Sequence, residues 1–319
     1  PGRPKGGSEL LQANIIHAAN KGGNDLMVVS IGLETANAVP QDVDLDHRNA
    51  MRKHPLDLAP YHELRNALRA HGPHVVFCAN YPLFVLTRIA SIGLRIRSRF
   101  LITWHEDAET PRLLQVWYRL LTRLMSRRDE LIMTSNKQLE QHTRFNPVRE
   151  GQVRIIQNGV DNRYWSPATS AFDRHAIRER MHVPDNALLI TMHADLTAEN
   201  DHRTAVAALR VLCEDLRVDA HLLFIGTGLE NGRLRLAAMH AGLKKRVHFM
   251  GQVRDAREYY WSSDLITLTA KSAEIYPMAT LQGMSCGLPV VATERSSVAE
   301  FIENGVNGFL ATSNPHDIA

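Results

Sequence analysis

Cysteine is scarce in this sequence: the chain has only Cys78, Cys213 and Cys286, and they lie far apart. Three distant cysteines provide no disulfide framework and have none of the short spacings of a zinc site. The sequence also lacks an apolar run long enough to cross a bilayer, and its first residues contain no signal-peptide core. These absences favour a reducing, cytoplasmic location.

Net charge is also small, at +3 from 37 basic and 34 acidic residues, so charge alone does not indicate a nucleic-acid partner. The arginines are nevertheless concentrated in the first half. Two interpretations stay open: a solvated helix face whose arginine stems cover the edge of the core, or peripheral contact with the anionic inner face of a membrane. The arginines concerned are Arg88, Arg95, Arg97, Arg99, Arg112, Arg119, Arg123, Arg127 and Arg128.

The chain alternates apolar runs with longer amphipathic runs, a pattern typical of parallel α/β domains. Apolar residues make up 44% and charged residues 22%, which are values of globular proteins. Strands are predicted over 25–31, 75–78, 100–104, 130–134, 153–156, 187–192, 221–225, 247–250, 265–268 and 290–292. Helices are predicted over 8–20, 61–71, 83–97, 112–127, 137–145, 204–216, 231–241, 256–262 and 278–286.

A segment rich in Asn, Asp, Pro and Gly, over 157–168, interrupts this alternation. We therefore predict two doubly wound, Rossmann-like domains, over residues 1–160 and 161–319. No apolar strand precedes the helix that starts at Gly6-Gly7, and the chain stops nine residues after Leu310. We expect the first strand of domain one and the C-terminal helices of domain two to be missing.

The segment from Thr267 to Thr293 carries the clearest site pattern. An apolar strand leads to a loop containing Glu274, then to a helix over 278–286 that Gly287 closes as a left-handed cap. A carboxylate at a strand exit beside a helix N-terminus lies where open α/β sheets bind ligands.

Glycines at two other helix starts predict contact with phosphate. Gly6 and Gly7 open the first helix beside Arg3 and Lys5, where free N–H groups favour an anion such as a diphosphate. An ordinary turn capped by Ser8 is the alternative. A second pair, Gly226 and Gly228, follows a predicted strand, although a lone Gly-x-Gly is weak evidence by itself.

Two further motifs complete the pattern. His105 follows a predicted strand end, from which its ring would point into a cleft. Asn158-Gly159-Val160-Asp161 forms a tight turn at the predicted domain junction, and Tyr164-Trp165 with Pro167 follows it.

Together these motifs resemble the retaining glycosyltransferases of the GT-B fold, in the large family-four group (glycosyl transferases group 1). The resemblance extends from Gly6 to Leu310 and is strongest over 153–167 and 274–310. It implies two Rossmann-like domains facing across a cleft, with the acceptor on the first and a nucleotide-diphospho-sugar on the second. It also implies transfer with retention of configuration and without a metal or other cofactor. The residues it assigns are Glu274 and His105 at the sugar, Gln282 at the ribose, and Gly6, Gly7, Gly226 and Gly228 at the phosphates or nucleotide.

Three donor-site positions depart from the group. Gln282 replaces a second Glu, and Asp195 and Asn200 stand where an Arg and a Lys normally clamp the diphosphate. Because charge-assisted contacts are the strong ones, losing both cations lowers phosphate affinity unless others substitute. The nearby cations that could do so in the second domain are Arg203 and Lys271.

These departures leave three functions open: a glycosyltransferase, a non-catalytic GT-B binding partner, and another GT-B reaction such as sugar epimerisation or phosphorolysis. For a transferase, the basic helices favour an envelope polysaccharide or lipid-linked glycan as acceptor. A run resembling the Asp-x-Asp metal motif, Asp42 to Asp46, is assigned to an acidic surface loop because no strand leads into it.

Overall fold

The computed structural model describes residues 7–32, 46–51, 57–103, 125–145, 148–149, 151–271, 277–294 and 297–319. It divides the chain into two compact units, Pro1–Gln157 and Asn158–Ala319. The division falls at residue 157, whereas the sequence predicted a boundary at 160. Among the described residues, no helix has the length and apolar character needed to cross a membrane.

In the part of unit 1 that the structure describes there are two parallel sheets: β1 pairs with β2, and a second sheet has the order β3-β4-β5-β6. The helices within the described residues of this unit are α1 (Gly7–Lys21), α2 (Ala59–His71), α3 (Tyr81–Ser91) and α4 (Asn136–Phe145). Its strands are β1 (Met27–Gly32), β2 (Asp46–Met51), β3 (Val75–Cys78), β4 (Arg99–Thr103), β5 (Glu130–Met133) and β6 (Val153–Ile155).

A buried carboxylate fastens the four-stranded sheet to α3. Asp129, fully buried ahead of β5, accepts hydrogen bonds from the N–H groups of Phe100 and Ser126 and from the guanidinium group of Arg88. The same guanidinium lies 4.1 Å from the Phe100 ring centroid. Arg99 is ion-paired too, with Glu130. Of the arginines considered above for a basic membrane-facing surface, Arg88 and Arg99 therefore already have carboxylate partners within the unit.

Unit 2 contains one six-stranded, all-parallel sheet of order β12-β11-β10-β7-β8-β9. Its strands are β7 (Leu188–His193), β8 (Ala220–Ile225), β9 (Val247–Gly251), β10 (Leu265–Leu268), β11 (Val290–Thr293) and β12 (Gly308–Ala311). Its helices are α5 (Arg174–Arg180), α6 (His202–Glu214), α7 (Asn231–His240), α8 (Arg257–Ser262), α9 (Met278–Ser285) and α10 (Pro315–Ile318), with a 3₁₀ turn over Ser297–Glu300.

This strand order is the Rossmann order, in which the sheet grows from β7 toward β9 on one side and from β10 toward β12 on the other. Strand β8 is buried along its whole length, as expected for a strand covered on both faces. Beside it, α6 turns an apolar stripe inward that includes Ala205, Leu209 and Leu212.

The interrupting segment belongs physically to unit 2. Trp261 donates from its indole N–H to the Ser166 carbonyl (2.7 Å), and the Ser285 hydroxyl donates to the Trp165 carbonyl. The Tyr164 hydroxyl donates to Asp255 at 3.2 Å. The Tyr-Trp-Ser-Pro sequence therefore fastens the chain to α8 and α9.

Several elements differ from the sequence predictions. The polar strand β2 was missed because its residues have no apolar run, so Asp46 lies in an edge strand and not in the predicted loop. The short, charged helix α5 was missed as well. Helix α3 ends at Ser91 and not at 97, because Gly93 takes a left-handed conformation (φ 76°). Gly287, by contrast, has the predicted left-handed conformation after α9 (φ 93°).

Candidate functional site

The candidate site lies at the carboxyl ends of β7 and β10, where the strand order of unit 2 reverses. Two loops meet there: 194–201 follows β7, and 269–271 follows β10. The buried Thr269 hydroxyl lies 2.9 Å from the Asp201 carbonyl oxygen and 3.2 Å from that of Asn200. In addition, the Lys271 N–H donates to the Glu199 carbonyl at 2.9 Å. The two loops are therefore held together at the switch point.

The loop after β7 uses its own polar groups internally. The Asn200 side chain is 5% exposed, and its amide donates to the Asp195 carbonyl at 2.8 Å, which closes the loop. The Asp195 side chain is exposed. At the two positions where the resemblance suggests cations, the structure thus presents an open carboxylate and an amide committed to the backbone.

Asp201 joins this loop to α6 and was not singled out from the sequence. It takes a left-handed backbone conformation (φ 46°, ψ 46°), in which Asp and Asn are over-represented. Its Oδ2 accepts from the Thr204 hydroxyl at 2.7 Å, and its Oδ1 lies 3.3 Å from Lys271 Nζ. Its place before an amphipathic helical run is the available sequence signal, because Asp is a favoured residue at helix starts.

Gly226 and Gly228 are required by backbone packing between two loops. A Cβ on Gly226 would overlap the Ala194 carbonyl, and one on Gly228 would overlap the Leu196 carbonyl. The same loops exchange hydrogen bonds, since the Leu196 N–H donates to Thr227 O (2.9 Å). The observed constraint on these glycines is therefore contact with loop 194–201, and nucleotide contact stays a prediction.

A pocket of about 200 Å³ opens beside the N-terminus of α6. Arg203, 58% exposed, lies 3.6 Å from Glu230, whose other carboxylate oxygen binds Arg233 at 2.7 Å. Lys271, 59% exposed, lies on the other side of Asp201. The full lining is Thr197, Ala198, Asp201, His202, Arg203, Glu230, Arg233, Leu234 and Lys271. Cations and carboxylates alternate here, next to the positive end of the α6 helix dipole.

Helix α9 carries Gln282, which is almost completely buried. The helix lies close to β10, because a Cβ on Gly283 would lie 2.9 Å from the Ile266 Cδ1. Its first turn is bound through Tyr260, whose hydroxyl donates to the Ala279 carbonyl at 3.1 Å. That hydroxyl therefore accepts from Nδ1–H of His193, 2.6 Å away at the end of β7.

His193 and His202 are two titratable residues at this edge that the sequence did not distinguish from the other histidines. Burial lowers the pKa of His193 to about 4. Burial also lowers the pKa of His202 to about 4, although the Ala194 backbone and Asp201 act in the opposite direction. Both rings are therefore neutral at pH 7.

Of the predicted site residues, Arg203 and Lys271 line one pocket, Gly226 and Gly228 form the adjoining loop, and Gln282 lies in α9. Gly7 is the first residue of α1 in unit 1. Gly6, His105 and Glu274 lie outside the described residues, so their assignments stay predictions.

Two family profiles match the chain, one over each of the two units. The profile of Glycosyltransferase Family 4 matches residues 5–164, and that of Glycosyl transferases group 1 matches residues 173–319. This chain belongs to Glycosyltransferase Family 4. The predicted family and the GT-B fold class, with two Rossmann-like domains, are confirmed.

Known relatives of this glycosyltransferase are distant. The protein EpsD of Bacillus subtilis is 24% identical over 263 residues, which is 80% of this chain and 68% of EpsD. A GDP-mannose-dependent phosphatidylinositol dimannoside mannosyltransferase of Mycobacterium tuberculosis is 27% identical over 60% of this chain and 47% of its own length. Anabaena HepE, solved with UDP-glucose, superposes with a TM-score of 0.81 at 22% identity, over 100% of this chain and 85% of HepE.

Proposed function

We propose that this glycosyltransferase takes a sugar from a nucleotide-diphospho-sugar bound at the carboxyl ends of β7 and β10, and transfers it with retention of configuration. The observation that carries the proposal is the Rossmann strand order, with a polar pocket beside its switch point. HepE, which shares the fold, was solved with UDP-glucose, and the mycobacterial relative is GDP-mannose-dependent.

In the proposed reaction, the bond between the sugar C1 and the donor diphosphate breaks, and a bond from C1 to an acceptor hydroxyl oxygen forms. The hydroxyl proton passes to the departing diphosphate. Charge develops on that diphosphate, so preorganised cations and N–H groups at its position stabilise the transition state. Arg203, Lys271 and the start of α6 are the described groups that could supply them, and the reaction requires no metal.

The first test is calorimetric titration of the chain with UDP-glucose and GDP-mannose, together with free UDP and GDP. We expect one of the two nucleotides to bind, both free and as its sugar. Lack of binding to all four would overturn the proposal. For the sugar that binds, NMR of the product's anomeric proton tests retention, and unchanged turnover in EDTA tests metal independence.

The acceptor is proposed to be a glycan of the cell envelope or a lipid-linked glycan. The names of relatives support this class: one is an amylovoran biosynthesis enzyme of Erwinia amylovora, and another is the phosphatidylinositol dimannoside mannosyltransferase. Transfer of labelled sugar from the bound donor to extracted envelope lipids would support the proposal, and exclusive transfer to soluble sugars would contradict it.

The second candidate is a non-catalytic GT-B protein that binds its ligand without transfer. The exposed carboxylate of Asp195 and the internal hydrogen bond of Asn200 favour it, because neither residue offers a positive charge to a diphosphate. This candidate predicts that the protein binds a nucleotide sugar but releases no nucleoside diphosphate, whether the acceptor offered is a glycan or water. That result would contradict the first proposal.

A further inference from the structure

Loop 194–201 cannot by itself neutralise a bound diphosphate. It contains no Lys or Arg, and its acidic side chains include the exposed Asp195 and Glu199. Its one buried amide, on Asn200, is already bonded to a carbonyl. A cation at the switch point must therefore come from another element.

We infer that Lys271, which lies in the loop after β10, binds the donor diphosphate directly. This inference rests on the proposed donor. Its backbone is fixed against the β7 loop, because the Lys271 N–H donates to Glu199 O and the neighbouring Thr269 hydroxyl contacts the Asp201 carbonyl. The Lys271 stem therefore starts beside the position of Asn200, although the two residues are 71 apart in the sequence.

The head of Lys271 retains capacity for a second anion. The Lys271 side chain is 59% exposed, and the one carboxylate recorded beside its ammonium group among the described residues is Asp201, at 3.3 Å. An ammonium group has three N–H donors, so two remain for phosphate oxygens when one is directed to Asp201. In this arrangement Asp201 orients the ammonium group, and its negative charge also opposes an approaching phosphate.

Arg203 is the weaker candidate on the same pocket. Its guanidinium lies 3.6 Å from Glu230, whose other carboxylate oxygen binds Arg233, so Arg203 already contacts an anion within a three-residue cluster. Arg203 starts from the first turn of α6, whereas the Lys271 backbone is hydrogen-bonded to the loop beside Asn200. We therefore assign it a smaller contribution than Lys271.

The test compares the affinity of UDP and GDP for the chain with that of uridine and guanosine, by calorimetry. For the nucleotide that binds, Lys271→Ala should weaken the diphosphate about 10- to 100-fold, the range for losing a charge-assisted hydrogen bond. The nucleoside alone should bind equally to both proteins. Exposed Lys245, which precedes β9 at the opposite edge of the sheet, supplies the control substitution Lys245→Ala, and it should change neither affinity.

A second variant should have the opposite effect. Asp201→Asn keeps an oxygen for the Thr204 hydroxyl and a residue type that accepts left-handed φ, but it removes the competing charge. We expect this variant to bind the diphosphate several-fold more tightly, on the order of the gain from removing one nearby like charge.

The outcomes separate the two proposals. Failure of wild-type protein to bind UDP or GDP overturns both the donor and the role of Lys271. Wild-type binding combined with less than a twofold change in Lys271→Ala overturns the role of Lys271 and leaves the donor intact. Equal losses for nucleoside and diphosphate in Lys271→Ala would indicate a damaged fold and would also contradict a phosphate-specific role.

Discussion

The unit 2 sheet has an amino edge, where its parallel strands begin, and a carboxyl edge, where they end. Charged side chains play opposite roles at the two. At the amino edge, Arg178 is fully buried and donates to the carbonyls of Ser262, Pro184, Asp185 and Ala187 and to Asp264. At the carboxyl edge, Arg203 and Lys271 keep more than half of their side-chain surface in solvent. At the amino edge the buried Arg178 is committed to the fold, whereas the carboxyl edge retains donors that a ligand could use.

Asp264 shows how completely the amino edge is paired. Burial opposes its ionised form, but the Leu189 N–H and the guanidinium groups of Arg174 and Arg178 outweigh burial and lower its pKa. Unit 1 has the reverse arrangement, in which the buried group is a carboxylate and not an arginine. Asp129 is buried at the amino end of β5 and is bound by Arg88. In both units a buried charge joins loops to the amino ends of parallel strands.

Breaking the amino edge should have the largest effect on stability. Arg178→Met removes one donor from each of four carbonyls and one cation from Asp264, so we expect a loss of about 3–5 kcal/mol in the free energy of unfolding. Urea unfolding followed by tryptophan fluorescence measures it. The matched control is Arg180→Met, two residues away in α5 and ion-paired at the surface with Glu258, which should cost less than about 1 kcal/mol. Similar losses in both variants would contradict the comparison.

Acid should weaken both edges through histidines whose pKa is lowered in the folded chain. Burial lowers the pKa of His193, His202 and His248 to about 4, so below the usual pKa of 6.5 the unfolded chain binds protons that the folded chain does not. The contribution of these histidines to the free energy of unfolding is therefore present above pH 6.5 and is lost as the pH drops toward 4. At pH 5 we expect a loss of about 2 kcal/mol for each such histidine.

Urea unfolding at pH 7.5 and pH 5 checks this dependence, and His202→Leu assigns part of it to the carboxyl edge. That variant should lose less stability on acidification than wild type, because one titrating ring is gone. Between pH 7.5 and pH 9 the two proteins should show parallel behaviour. An unchanged acid loss in His202→Leu would contradict the assignment.

Close packing between loop 194–201 and the loop after β8 is tested by replacing a glycine with alanine. Gly228→Ala places a Cβ against the Leu196 carbonyl, so we expect a loss of about 1–3 kcal/mol, as for other overpacked sites. Gly232→Ala is the control, since a Cβ there meets no atom within 4 Å and alanine favours the helix by about 0.5–1 kcal/mol. Opposite signs for the two variants are the expected result, and equal signs would contradict the contact.

The smallest effect on stability should come from the proposed ligand contact itself. Lys271→Ala removes one partly exposed ion pair with Asp201, so we expect a change within about 1 kcal/mol by urea unfolding. A loss as large as that of Arg178→Met would show that Lys271 serves the fold, and it would remove the contrast between the two edges.

The sequence by itself determined the family, the α/β class and nearly every strand of unit 2. Continuous apolar runs such as β8 have no stable place except between two layers, so their pattern already defines a parallel sheet. It could not reveal β2, whose polar residues show no such pattern, or α5, which is too short for a helical period.

Within the site, the sequence indicated which segments matter, and tertiary structure decided what their residues do. Gly226 and Gly228 were correctly placed after a strand. Only the structure shows that the carbonyls of Ala194 and Leu196 leave no room for a side chain at these positions. Similarly, Asn200 and Lys271 are distant in sequence, and the β7–β10 pairing brings their loops together. Local pattern depends on neighbouring residues, whereas a binding site is assembled from strand exits whose proximity is set by the order of strands in the sheet.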